Sequence, residues 1–103
     1  MRLLSAVRAA VRNHHEWWDG TGYPDQLKGE AIPLMARIIA VADTYDAMTS
    51  DRAYRRSLPH EVAVTEIERC SSTQFDPEVS HAFCEGLDDY RESEVAKGNK
   101  VPE

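Results

Sequence analysis

The sequence has little of what would staple a small secreted domain or carry one into a membrane. Only two of its 103 residues are cysteines, Cys70 and Cys84, and they form no close pair. That excludes a disulfide scaffold and a four-thiolate zinc site, and makes the reducing cytoplasm the expected location. No apolar run approaches the roughly 20 residues that a membrane helix needs. The opening MRLLSAVRAAVRNHH is too short in its apolar part, and too interrupted by arginine, for a secretion signal. Basic excess is also missing. Lys plus Arg is 12 and Asp plus Glu is 18, a net charge of −6, which argues against DNA as a partner. No segment alternates as a strand would, and there are no internal repeats or low-complexity tracts. What is there, 42% hydrophobic and 29% charged residues, suits one small globular unit.

Helical periodicity fills most of the chain. Leu3, Leu4, Val7, Ala10 and Val11 predict a helix over 2–15, with His14 and His15 extending its inward face. Residues 16–32 carry turn chemistry instead, with two glycines and a proline in Asp19-Gly20-Thr21-Gly22-Tyr23-Pro24, and predict a long ordered loop. Pro33 opens a second helix to about residue 50. Its stripe of Leu34, Ile38, Ala42, Tyr45 and Met48 is widened by Ile39 and Val41, so it is expected to be buried on nearly all sides. Residues 50–56 form a charged connection. A third helix is expected from about Ser57, with Val62, Ala63, Ile67 and Cys70 facing inward. Asp76-Pro77-Glu78 then marks a fourth helix start: a capping Asp, a proline, and an acid in the positive first turn. Val79, Ala82, Phe83, Leu87 and Tyr90 repeat as its core face. The expected fold class is all-α, about four helices with one long loop, covering 1–90, followed by a charged tail over 91–103 that frays.

Three groups could carry chemistry. His14 and His15 can approach one cation or two neighbouring ones; the alternative is a surface or capping pair at a helix end. Asp43 lies in the most apolar helix, where a buried carboxylate needs a partner, either an arginine such as Arg37 or a divalent cation shared with the histidines. Mixed imidazole and carboxylate ligands suit iron, manganese or zinc. Asp46, three residues on, is either a group that orients a ligand or a plain helix-face charge. The loop from Trp17 to Pro24 could shape a pocket or dock a partner. Arg52, Tyr54, Arg55 and Arg56 form a basic cluster that could hold phosphate, or a solvated turn. His60 and His81 have no ligand neighbours at close spacing and are read as ordinary surface or packing residues.

These residues carry a resemblance. His14-His15-Glu16-x-x-Asp19-Gly20-x-Gly22-Tyr23-Pro24 resembles the signature of HD-GYP domains, a branch of the metal-dependent HD phosphohydrolases. The likeness continues through Ile32-Pro33, Ala36-Arg37-Ile38-Ile39-Ala40-Val41-Ala42-Asp43, Tyr45-Asp46-Ala47-Met48-Thr49-Ser50, Arg52-Ala53-Tyr54-Arg55 and Gln74-Phe75-Asp76-Pro77, and spans about residues 4–90. It implies an all-helical domain that hydrolyses cyclic di-GMP or a related cyclic dinucleotide. By motif, His14, His15 and Asp43 would be metal ligands, with Glu16, Arg37 and Asp46 behind them. Arg52 and Arg55 would meet substrate phosphates, and Asp19, Gly20, Gly22, Tyr23 and Pro24 would line the pocket rim. That loop also implies a possible contact with a GGDEF-type cyclase domain, and the alternative reading of the chain is a non-catalytic docking module. The sequence departs from the family in containing no His-Asp dipeptide. The chain is therefore expected to be a C-terminal portion, inactive when isolated, holding its Fe or Mn ion partially or not at all. Helix faces left uncovered are expected to drive self-association.

Overall fold

The computed structural model describes residues 2–101. Four α-helices follow one another: α1 (Arg2–Asn13), α2 (Leu34–Thr49), α3 (His60–Arg69) and α4 (Pro77–Ala96), with a short 3-10 helix over Gly29–Ala31. No strand forms among the described residues, only isolated bridges at Arg52–Arg55 and Ser71–Phe75. Among the described residues no helix is long and apolar enough to cross a membrane. α2 is the hub, packed against α1, α3 and α4, while α3 also packs on α4.

The apolar residues sort into two clusters. Val41, Ile67, Phe75 and Cys84 are buried between α2, α3 and α4, with Tyr45, Met48, Val79 and Phe83 packed around them. Ala10, Ile32 and Ala36 make a smaller cluster where α1 and the loop meet α2. Asp76 caps α4 as its sequence suggests. Its carboxylate accepts from the backbone N–H groups of Glu78 and Val79, and Pro77 fills the first helical position, where no donor is needed.

Several expectations are corrected. α1 stops at Asn13, so His14 and His15 lie in a turn rather than on a helix face. Past the helix end the Glu16 N–H turns back to the Asn13 carbonyl, and the His15 carbonyl accepts from the Tyr23 N–H across the loop. Of the α1 stripe only Ala10 is buried; Leu3, Leu4, Val7 and Val11 are exposed, because α2 and the loop cover only one side of this helix. α2 is not buried on all sides. Ala36 and Val41 are inside, whereas Leu34, Met35, Ile38 and Ile39 are exposed. Pro33 and Pro59 sit just outside their helices as caps. Val62 is exposed on α3, and Ala82 and Tyr90 on α4, whose inward positions are Ser80 and Cys84. α4 runs on to Ala96, so the tail beyond Tyr90 begins as helix.

Candidate functional site

The turn after α1 brings two imidazoles side by side. The rings of His14 and His15 have centroids 4.0 Å apart, and His15 stacks on Tyr23 at 5.0 Å. His14 Nδ1 lies 2.9 Å from the Val11 carbonyl, which can only accept, so Nδ1 carries the hydrogen and Nε2 keeps its lone pair. A backbone carbonyl on one ring nitrogen is the arrangement that fixes a ligating histidine.

Glu16 follows, 3% exposed, and organises the loop. Its carboxylate accepts from Asn13 Nδ2 at 3.0 Å, from the Asp25 N–H at 2.8 Å and from the Leu27 N–H at 2.9 Å. The same Asn13 amide donates to Asp25, which also takes both arms of Arg12. These bonds, Arg12 foremost, pull the Asp25 carboxyl down to about 2. Glu16 is thus committed to the loop's backbone, and its place behind a metal ligand becomes a place behind the loop.

The Asp19–Pro24 segment is tightly built. Asp19 accepts from the Thr21 hydroxyl and N–H, which lower its pKa. Gly20 has a φ of +89°, the left-handed region that glycine enters without strain. Gly22 is buried, and a Cβ there would stand 2.3 Å from the Trp17 nitrogen and 2.5 Å from the His15 oxygen. No side chain fits while the histidine turn keeps its position. Tyr23 is 60% exposed, and Pro24 is exposed beside it. Trp18 and Asp19 donate their N–H groups to the carbonyls of Gln74 and Thr73, tying the loop to the α3–α4 connection.

The carboxylates of α2 lie elsewhere than the sequence suggests. Asp43 is exposed, so no burial cost demands a partner for it. Arg37 pairs instead with Asp76 at 2.7 Å, donates to the Ile32 carbonyl, and holds its guanidinium 6.0 Å above Trp18. Asp46 is an exposed helix-face charge that accepts from the Ser50 hydroxyl. The two arginines of the basic cluster differ. Arg55 spends its guanidinium on the carbonyls of Ala47, Met48 and Arg56, satisfying the end of α2. Arg52 is exposed and comes no nearer than 4.0 Å to Asp46, leaving its donors for an anion. His81 is exposed and pairs with Glu85 one turn on. His60, by contrast, is buried between partners on two other helices, 15 and 28 positions away, a separation that no local spacing reveals.

Among the described residues no three His, Cys, Asp or Glu side chains gather where they could hold a metal ion. The donor set fits a cation in part: two adjacent imidazoles, one with its tautomer already fixed, and no third group closing on them.

A family model described as HD domain matches residues 1–79. A cyclic di-GMP phosphodiesterase of Vibrio cholerae is 49% identical over 81 residues, which are 79% of this chain and 16% of that protein. One from Thermotoga maritima is 51% identical over 81 residues, again 79% of this chain and 22% of its own length. The crystal structure of a cyclic GMP-AMP specific phosphodiesterase of V. cholerae superposes with a TM-score of 0.69 at 34% identity, covering 82% of this chain and 19% of that one. The chain therefore spans about a fifth or less of the relatives it resembles.

Proposed function

The chain belongs to the HD domain family, in its HD-GYP branch, and from that premise we propose that it forms part of a metal-dependent phosphodiesterase of the cytoplasm that opens a cyclic dinucleotide, cyclic di-GMP or a cyclic GMP-AMP. The observation that supports this best is the histidine pair held by its own turn, with His14 Nε2 left free by the Val11 carbonyl. His14 and His15 would hold a divalent ion such as iron or manganese together with Asp43 and residues beyond these three. Such an ion, when bound, supplies a water activated at neutral pH and offsets charge on the phosphate. Tyr23, stacked on His15 and exposed, borders the space in front of the pair, and Glu16 and Gly22 keep that border in place. Arg52 is the free guanidinium for a phosphate.

The test is hydrolysis of cyclic di-GMP by a polypeptide that contains this chain and supplies the remaining ligands. Asp43→Ala should abolish turnover while circular dichroism shows the fold retained, since an exposed carboxylate supports no packing. Arg52→Ala should raise KM by about ten- to a hundredfold with little change in kcat, the loss of one charged hydrogen bond. Near-normal turnover in Asp43→Ala would remove that residue from the site. Self-association belongs to the same proposal: Leu3, Leu4, Val7 and Val11 of α1 leave apolar surface uncovered. Sedimentation of the chain should show dimers or larger species at micromolar concentration, and a clean monomer up to millimolar would refute it.

A further inference from the structure

α2 carries apolar side chains around almost its whole circumference. Such a helix gains similar burial whichever side turns inward, so the hydrophobic effect leaves its rotation about its own axis loosely specified. One rotation is nevertheless adopted, with Val41 buried and Ile38 and Ile39 exposed. A hydrogen bond can choose where burial cannot, because it forms at one rotation and is lost at others.

The second half of α2 takes part in a set of this kind, centred on the buried His60. The Tyr45 hydroxyl lies 2.9 Å from Nδ1 of His60, the first residue of α3, and His60 Nε2 lies 2.7 Å from Oδ1 of Asp88 on α4. An ionised carboxylate can only accept, so Asp88 keeps the hydrogen on Nε2 and turns Nδ1 toward the hydroxyl. The Tyr45 ring meets His60 and Phe83 edge-on, which fixes where the hydroxyl can reach.

We propose that the Tyr45–His60–Asp88 chain sets the rotational register of α2, which makes Tyr45 and His60 positioning residues for Asp43. The two α2 residues are two positions apart, about 200° around the helix. Anchoring Tyr45 inward therefore holds Asp43 outward, where it is exposed. The link to catalysis rests on the reading of Asp43 as a metal ligand; the register itself does not.

The experiment needs neither metal nor nucleotide. A soluble paramagnetic agent added to the full chain, labelled at its methyl groups, reports which methyls face solvent. In the wild type Ile38 and Ile39 should relax strongly and Val41 weakly. In Tyr45→Phe, and in Asp88→Ala at a half-exposed site, the effect at Val41 should rise while those at Ile38 and Ile39 fall. Asp88→Asn keeps an acceptor oxygen and should restore the original pattern. A pattern unchanged in both disrupting variants would overturn the proposal. So would a rise at all three methyls together, which is what simple loosening produces. Should Tyr45→Phe fail to fold, Asp88→Ala decides alone. A polypeptide that supplies the remaining ligands yet hydrolyses nothing, while the methyl pattern shifts as described, would strike only the phosphodiesterase reading.

Discussion

The loop after α1 and the helical pair after α2 are held by opposite means. The loop buries few side chains, Glu16 and Ile32 chief among them, and keeps its shape through N–H groups that converge on one carboxylate. The pair α3–α4 closes on the apolar residues Ile67, Phe75 and Cys84, with the His60–Asp88 bond crossing between the two helices. Apolar burial tolerates small shifts, because it is non-directional. A hub of hydrogen bonds tolerates few, because each bond constrains distance and angle. The region that carries the histidine pair is fixed more by direction than by area.

Asp76 belongs to both regions and breaks the comparison most severely. It caps α4 and pairs with Arg37, the residue that reaches Trp18 and the Ile32 carbonyl. Asp76→Ala should cost about 3–5 kcal/mol, since it strands a largely buried guanidinium, and chemical denaturation should show both regions losing structure together. Ile67→Ala removes the largest fully buried side chain. It should cost about 2–5 kcal/mol, read as an earlier global transition. Glu16→Gln keeps the shape and loses one acceptor oxygen. It should cost about 1–3 kcal/mol, with amide exchange accelerated at Asp25 and Leu27 and unchanged in α3 and α4. Equal acceleration everywhere would mean that the loop is not separately held. Arg12→Ala should do least, because that pair is mostly in water. Its signature is pH. The Asp25 carboxyl falls from 3.8 to about 2 in the folded chain, so the clasp contributes above about pH 4 and is lost as pH falls toward 2. In Arg12→Ala that loss should begin at higher pH, measured by exchange at Asp25.

What could be read beforehand was whatever is local. The α4 cap is spelled by three consecutive residues, and the loop by its glycines and proline. The all-helical class and the HD-GYP likeness stood on similar ground. Burial was harder. An apolar residue on α1 or α2 shows what could be covered and not what covers it, which is why Leu3, Val7 and Ile38 were placed inside and lie outside. The apolar neighbours of Asp43 suggest a burial it does not have, and Arg37, a cation near it in sequence, pairs with Asp76, 39 positions away. Glu16 stood inside the recognised motif, but its task depends on the loop's return at Asp25 and Leu27. His60 had no local signal at all.

The chain's two tryptophans are adjacent and sit in different surroundings. Trp17 faces water, while Trp18 lies half-buried beneath the Arg37 guanidinium and donates its backbone N–H to the Gln74 carbonyl. Both indoles belong to the loop and none to the α3–α4 core. Intrinsic fluorescence of this protein is therefore a local optical gauge. It will register the loop parting from the α3–α4 connection, and the departure of the cation from the Trp18 face, before helical ellipticity changes. Where the two signals diverge along a titration, the gap between them measures how far the histidine turn can open while the rest of the chain stays folded.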